Sequence, residues 1–349
     1  MKLGKPDRDL MAGTVFRWTG ARSSGVIRGP KPGVDASVLS IGHGQVMILS
    51  TDPLSLIPSL GAEKSAWLSI HAIASDVATS GIAPKYALFD LNLPPSLSDA
   101  LLRKYWLSIH KACRDLGISI LGGHTGRFEG CDYTVIGGAT VFTIGEEDGY
   151  VTSDMAREGD ELIATKSAAI EATTVLAHCF PKTIEKRFGR SVLQKAQSLF
   201  RSVSAVEEAL IASSVGLRDT GVSAMHDVTE GGILSAVLEM AEASGLKAVV
   251  YSEQIPVAGE VIEVCRLFRI DPLFALGQGS LVIAVGPSRT QDLLTALRRK
   301  GISSAVIGRL AKKPRHTIIR SDGREKPLAY PKEDPYWRAY WKAVNRRWT

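Results

Sequence analysis

The chain has 349 residues, of which 45% are hydrophobic and 22% are charged, and its formal net charge is +6 at pH 7. These values are typical of a globular protein and exclude general disorder, and the length allows two domains with sizeable cores. The modest positive charge suits an anionic substrate but does not by itself indicate nucleic acid. No apolar run reaches the roughly 18 residues that span a bilayer, and residues 1–8 lack the apolar core of a secretion signal. We therefore predict a cytoplasmic protein that binds neither membranes nor nucleic acid.

The first half of the chain alternates strand and helix patterns. Strands are predicted at 46–49, 86–93, 118–121 and 133–144, and amphipathic helices at 64–80 and from Ser98 to Gly117. Ser98 has the side chain of an N-terminal helix cap, and Gly117 is a typical helix stop. The order strand, helix, strand, helix, strand, strand predicts a sheet with helices on one face.

An acidic, glycine-bearing segment at 145–159 separates this half from a second α/β unit. There, strands are predicted at 161–165, 247–251, 280–285 and 304–307, and helices at 168–179, 190–200, 204–215, 259–268 and 290–300, with a further helix that ends at Ser244 before Gly245. We place an N-terminal domain at 1–150, a C-terminal domain at 151–325 and a basic aromatic tail at 326–349.

The tail reads as a short helix that begins near Pro335, with Trp337 and Trp341 on one face. A basic aromatic helix can bind a membrane surface or nucleic acid. Docking on its own domain or on a dimer partner is the interpretation that we favour.

The cysteines, Cys113, Cys131, Cys179 and Cys265, stand far apart and form no C-x-x-C pair. This spacing argues against a structural zinc site, and reduced thiols are expected. Cys265 falls in a predicted amphipathic helix, where a small buried hydrophobic role is expected.

Short acidic or glycine-bearing segments beside apolar runs carry most of the functional information. They are 33–37 (GVDAS), 51–53 (TDP), 75–84 (SDVATSGIAP), 122–126 (GGHTG) and 225–232 (MHDVTEGG). We predict that all of them are loops that one fold brings to a common edge. Carboxylate oxygens hold Mg²⁺, and glycine-rich backbone lets phosphates approach closely. Because the chain has no lysine-bearing P-loop, metal ions must neutralise the phosphates of a bound nucleotide.

These segments, in this order over about residues 20–325, resemble the motifs of one enzyme superfamily. It contains aminoimidazole ribonucleotide (AIR) synthetase, selenophosphate synthetase and thiamine-monophosphate kinase, and within it the motifs resemble those of the HypE family of hydrogenase-maturation carbamoyl dehydratases. Residues 33–38 resemble the Gly-Asp-Asp-Ala-Ala-Val motif, and 75–84 resemble Asn-Asp-Ile-Ala-Ala-Met-Gly-Ala-x-Pro. Residues 122–125 match Gly-Gly-His-Thr, and 226–232 resemble His-Asp-Pro-Thr-Glu-Gly-Gly.

The resemblance implies a two-domain PurM-like (AIR synthase-like) fold of the α+β or α/β class, with N-terminal sheets that pair across a homodimer. It implies ATP and Mg²⁺ as cofactors and activation of a carbonyl or amide oxygen by phosphoryl transfer. The matched positions give metal ligands Asp35, Asp52 and Asp76, and catalytic residues His124, Asp76 and Asp227. The nucleotide site would comprise Gly33, Asp35, Asp52, Asp76, Gly122, Gly123, Thr125, Gly231 and Gly232, with the last two offering free amides at a helix start.

Each of these residues also has a structural interpretation. Asp76 could be a helix-end acceptor, Asp52 a turn former before Pro53, and His124 a hydrogen-bonded core histidine. His226 more often supports its loop than performs chemistry. Asp227 and Glu230 could cap a helix, and Asp227 is the better functional candidate.

The chain departs from the HypE pattern at several positions. Val34 replaces an acidic residue, Gly126 stands where a charged residue is common, and Gln278 lies where the dehydratase has a Ser-Glu-Gly-like segment; an amide cannot act as the base that a carboxylate can. HypE ends in a cysteine that receives a carbamoyl group, whereas this sequence ends at Thr349. We therefore expect a HypE-like ATP-dependent enzyme that does not carbamoylate itself and acts on a small-molecule or protein-bound amide.

Two alternatives remain open. The protein could be a non-catalytic ATP-binding partner in a maturation complex, or a small-molecule kinase of the thiamine-monophosphate kinase type. The kinase has an aspartate where this chain has His124.

Overall fold

The computed structural model describes residues 4–320 and 322–349. In the first unit the elements are α1 (Arg8–Gly13), β1 (Val26–Arg28), β2 (Ser37–Gly42), β3 (Gln45–Ser55), α2 (Gly61–Ala78), β4 (Tyr86–Leu93), α3 (Asp99–Asp115), β5 (Ser119–Arg127) and β6 (Val135–Glu146). The strands form one sheet in the order β1-β2-β3-β6-β4-β5. Only β4 and β5 pair in parallel in this sheet, among the described residues.

One face of this sheet is covered by α2 and α3, as the sequence predicts. Alternate strand residues such as Leu54, Phe89 and Leu91 are buried on that face, where they pack around helix residues such as Ile70 and Ile109. The Ser98 side chain accepts a hydrogen bond from the Leu101 amide and caps α3, also as predicted.

The opposite face of the sheet is open to solvent. Leu88, Leu121 and Ile144 lie on three different strands of the sheet, and they expose 42%, 56% and 39% of their surface. We call this surface the open sheet face.

Two segments that we predict as loops lie inside strands, so those predictions are wrong. Residues 51–53 belong to β3, where Asp52 pairs with Ala139 and Pro53 with Gly138 of β6. Residues 122–126 belong to β5, where Gly123 pairs with Phe89 of β4. A Cβ at Gly123 would clash with the Phe89 carbonyl oxygen, so this glycine serves close strand packing.

The second unit contains β7 (Glu161–Thr165), α4 (Ile170–Cys179), α5 (Pro181–Phe188), α6 (Arg190–Ser198), α7 (Val206–Ser214), β8 (Val222–Asp227), α8 (Gly232–Ala243), β9 (Lys247–Tyr251), α9 (Gly259–Phe268), β10 (Leu281–Val285), α10 (Thr290–Arg299), β11 (Ser304–Ala311), β12 (Thr317–Ile319), β13 (Glu325–Pro327) and α11 (Pro335–Asn345). Its sheet has the order β13-β12-β9-β11-β7-β10-β8. Residues 225–227 end β8 and are therefore strand residues, whereas the prediction placed them in a loop.

The two units share a continuous apolar core. Helix α2 of the first unit packs on α7 of the second, and Ser75 Oγ accepts a hydrogen bond from the Ala205 amide at 3.0 Å. The end of α2, which carries Asp76, is therefore fixed against the second unit.

The tail docks on the second unit, as we predict for its own domain. Tyr336, Ala339 and Ala343 of α11 are buried in a core that also contains Phe268. The Trp348 ring lies 5.1 Å from the Phe268 ring, measured between centroids. Trp337 is half-buried, whereas Trp341 keeps 47% of its surface exposed.

Among the described residues, no helix is both long and apolar enough to cross a membrane.

Candidate functional site

Carboxylates from both units meet where the two units join. Asp35 lies in the loop between β1 and β2, Asp52 in β3, and Asp76 near the end of α2. Asp227 is the last residue of β8. Its backbone amide donates a hydrogen bond to Asp35 Oδ2 at 3.4 Å. The four aspartates are close enough that the charges of Asp35, Asp52 and Asp227 all act on Asp76.

His226 links the loop of Asp35 to helix α8. Its Nδ1 lies 2.9 Å from Asp35 Oδ1, and its Nε2 lies 3.2 Å from Glu239 Oε2. Burial lowers the pKa of His226, but Asp35 and Glu239 outweigh burial and raise it well above its ordinary value. The imidazolium therefore acts as an internal cation that holds the loop, which agrees with our supporting interpretation of His226.

Gly33 permits this docking of the loop. Its φ is +73°, and a Cβ at this position would lie 2.6 Å from the carbonyl oxygen of Glu239. Only glycine allows such an approach in that backbone conformation. The structure thus gives Gly33 a role in placing Asp35.

Asp52, Asp76 and Asp227 hold their protons more tightly than ordinary carboxyl groups. Burial raises the pKa of Asp52 to about 6, and burial and the nearby Asp35 raise that of Asp227 to about 7. Burial and the neighbouring aspartates raise the pKa of Asp76 well above its usual value, although Asp76 Oδ2 accepts a hydrogen bond from Ser50 Oγ at 2.8 Å. Clustered carboxylates that repel one another in this way are stabilised by a cation.

The donor set fits Mg²⁺. One ligand atom each from Asp35, His226 and Asp227 lies within 4.8 Å of the others. Mg²⁺ prefers oxygen ligands, and a protonated imidazole cannot bind a metal. Of these three side chains, only the two carboxylates suit the ion, and His226 would lie outside the ligand set.

This cluster predicts that the ligand-free protein loses stability as the pH rises from about 5 to about 8. Asp52, Asp227 and His226 all have folded-state pKa values above those of an unfolded chain, so the folded protein binds more protons and its free energy of unfolding falls with pH. Burial also raises the pKa of Glu171 to about 8, which adds to the same trend. Urea unfolding across this range measures the effect, and Asp52→Asn should reduce the slope. A free energy of unfolding that rises with pH would contradict the prediction.

The amides of Gly231 and Gly232 are not free, which corrects our prediction. The Gly231 amide donates to Asp334 Oδ2 at 2.8 Å, and the Gly232 amide donates to the Thr229 carbonyl oxygen at 3.2 Å. Asp334 of the tail thus supplies the anion at the start of α8. Asp334 directly precedes the predicted tail helix, and its distant partner could not be predicted from local pattern.

His124 does not join the aspartates within one chain. It is exposed on β5 opposite Asp90, on the open sheet face, and its ring stacks near Phe128. Gly122, Gly123 and Thr125 belong to the same strand. The Phe128 ring also covers Gly126, where a Cβ would lie 2.7 Å from it, so a charged side chain there would have to displace the ring.

Several residues near the aspartates were missed from the sequence. Glu239 faces His226, and the Gln278 amide donates to Asp227 Oδ2 at 2.8 Å. Gln278, which we treat above only as a lost base, therefore orients Asp227. Lys5 lies close enough that its charge acts on Asp52 and Asp227. Glu239 and Lys5 carry no local motif, because their position depends on tertiary packing.

Both units match one protein family. Residues 33–147 match the N-terminal domain of AIR synthase related proteins, and residues 157–321 match the C-terminal domain. The chain therefore belongs to the AIR synthase related protein family, and the predicted two-domain PurM-like fold is confirmed.

Within this family the chain is HypE-like. It is 27% identical over 288 residues to the carbamoyl dehydratase HypE of Rhizobium leguminosarum bv. viciae, covering 80% of this chain and 77% of the relative. It is 24% identical over 231 residues to the thiamine-monophosphate kinase of Aquifex aeolicus, covering 65% of this chain and 70% of the kinase.

Solved structures share the fold. A chain of the HypE–HypF complex superposes with a TM-score of 0.75 at 18% identity, covering 92% of this chain and 99% of that chain. The hydrogenase maturation protein HypE in complex with ATP gives a TM-score of 0.68 at 21% identity, covering 96% and 97%.

Proposed function

We propose that this protein is an ATP-dependent enzyme that activates a carbonyl or amide oxygen by phosphoryl transfer. The observation that carries the proposal is the group of aspartates at the junction, with Asp35, Asp52 and Asp76 from the first unit and Asp227 from the second. Relatives named carbamoyl dehydratase HypE and thiamine-monophosphate kinase, and a HypE structure with ATP, support a nucleotide in this family.

In this proposal Asp35, Asp52 and Asp76 would hold Mg²⁺, which would neutralise phosphate charge. His226 fixes Asp35, and Gln278 fixes Asp227 through the hydrogen bond to its carboxylate. An amide oxygen of the substrate forms a bond to the γ-phosphorus of ATP as the bond to ADP breaks. Asp227, whose carboxylate is buried and oriented, accepts the proton that the amide nitrogen loses.

The acceptor is a small-molecule or protein-bound amide in this proposal, and the HypE–HypF complex suggests that a maturation partner could present it. The two buried thiols of this chain are poor acceptors. Cys113 and Cys265 are buried, and burial raises the pKa of each to about 12, so little nucleophilic thiolate forms near neutral pH. Cys179 Sγ lies 3.0 Å from Ser59 Oγ, and Cys131 is half-buried.

The direct test is ADP release from Mg-ATP with candidate amide, thioamide and alcohol acceptors. We expect an amide-type acceptor to stimulate ADP release and Asp227→Asn to abolish the stimulation. Intact-mass measurement after incubation with carbamoyl phosphate, a carbamoyl-donor enzyme and ATP should show no adduct on this chain. Nucleotide binding without turnover would support the ATP-binding partner instead, stimulation by an alcohol or phosphate acceptor would support a kinase, and a carbamoyl adduct that loses water would show self-modification.

A further inference from the structure

Residues 4–8 lie on the second unit beside the junction, and we call this segment the strap. The Lys5 amide donates to both carboxylate oxygens of Glu230, at 3.1 and 3.0 Å. Trp337 Nε1 donates to the same carboxylate at 3.2 Å. Gly4 has a φ of +87°, and a Cβ there would clash with Glu230. One end of the strap is therefore fitted to the loop between β8 and α8.

The other end of the strap is held by helix α8 and the segment before the tail helix. Arg8 Nη2 donates to Glu242 Oε2 at 2.7 Å, and its guanidinium lies 3.6 Å from the centre of the Tyr330 ring. Tyr330 also donates its hydroxyl to Glu242, at 3.0 Å. An arginine that is both paired and stacked is a specific anchor.

The strap places the Lys5 ammonium beside the aspartates. Its Nζ donates to Thr229 Oγ1 at 3.4 Å, two residues beyond Asp227 at the end of β8, and Lys5 is exposed. Partial desolvation beside the carboxylates lowers the pKa of the Lys5 ammonium, but the charges of Glu239, Asp227, Asp35 and Glu230 outweigh it and raise that pKa, so the group is a cation at neutral pH. An ammonium has three donors, and one long hydrogen bond leaves donors for a ligand.

We propose that Lys5 is a phosphate-contacting residue of the nucleotide site, which the strap holds over the aspartates. The inference rests on the proposed function, because it needs a nucleotide at this junction. The chain lacks a P-loop lysine, and Lys5 supplies a positive charge from a different part of the sequence. Without nucleotide, the ammonium balances the aspartates; with Mg-ATP, it donates to phosphate oxygen.

The test compares Lys5→Met, Lys5→Arg and the matched control Lys104→Met, an exposed lysine on α3. Calorimetry with Mg-ATP and with AMP measures the contribution of the terminal phosphates. We expect Lys5→Met to weaken Mg-ATP about tenfold and AMP by less than about twofold, since a charged hydrogen bond is lost only with ATP. Lys5→Arg and Lys104→Met should stay within about twofold of the unchanged protein.

A second measurement is acetylation of lysines by an amine-reactive reagent, read by mass spectrometry. Mg-ATP should slow labelling of Lys5 but not of Lys104, and AMP should protect Lys5 less. If the unchanged protein binds no Mg-ATP, the proposed function and this inference both fail. If it binds Mg-ATP but Lys5→Met loses equal affinity for both nucleotides, or none, Lys5 is only a structural counter-ion and the inference alone is overturned.

Discussion

Asp76→Asn is expected to raise the melting temperature of the ligand-free protein while weakening Mg-ATP binding by about tenfold or more. The two effects have one cause. Asp76 lies near the end of α2 among the negative charges of Asp227, Asp52 and Asp35, and burial and these charges raise its pKa well above the usual value. Removing its charge relieves repulsion in the ligand-free protein, whereas with nucleotide it would remove a proposed metal ligand and leave phosphate charge under-neutralised.

The substitution keeps the local packing, since asparagine has the shape of aspartate and its oxygen can still accept from Ser50 Oγ. Thermal unfolding and calorimetry are the measurements, and Asp148→Asn, at an exposed position just after β6, is the matched control. A purely structural Asp76, held for its hydrogen bond to Ser50, would give little change in Mg-ATP affinity. Unchanged affinity in a folded variant would therefore remove Asp76 from the proposed ligand set.

The sequence predicts elements well where one periodicity dominates. The predicted bounds of β4, β7, β9 and α9 agree with the structure, because each is an apolar or amphipathic run between clear stop signals. The predictions fail where glycine or proline interrupts a strand. Residues 122–126 look like a phosphate loop, yet they form β5 because the missing side chain at Gly123 lets β5 pack on β4.

The residues of the candidate site fall into two groups: those that stand in local sequence motifs and those that only tertiary packing brings to the site. Asp35, Asp52, Asp76 and Asp227 stand in local motifs that indicate carboxylate chemistry, and the structure brings Asp35 and Asp227 into contact distance across the two units. Lys5 and Glu230 are separated by 225 positions, so no window of sequence relates them. Their contact exists only because the tail, α8 and the strap pack together. For the same reason, Asp334 could not be recognised as the partner of Gly231.

A further expected result is that the protein is a dimer, and that aspartate at both Leu88 and Leu121 converts it to a folded monomer. The open sheet face places apolar side chains in water while α2 and α3 cover the opposite face. Exposed apolar patches on a sheet mark interaction surfaces. A second copy is the occupant that we propose, because a twofold interface pairs the same surface of both copies.

In such a twofold interface both copies of each introduced aspartate would be buried, and none of them would have a charged partner. Unpaired buried charges cost several kcal/mol each, so the dimer dissociation constant should rise by about 1,000-fold or more. Leu107→Asp is the control, because Leu107 is as exposed as Leu121 but lies on α3, away from the open face. Light scattering at micromolar concentration distinguishes the states. A monomeric unchanged protein would refute the proposed pairing, and a dimeric double variant would place the interface elsewhere. His124 shares the open sheet face with Leu88. If the two copies pair through this face, a second copy covers His124; if they do not, His124 remains a surface residue.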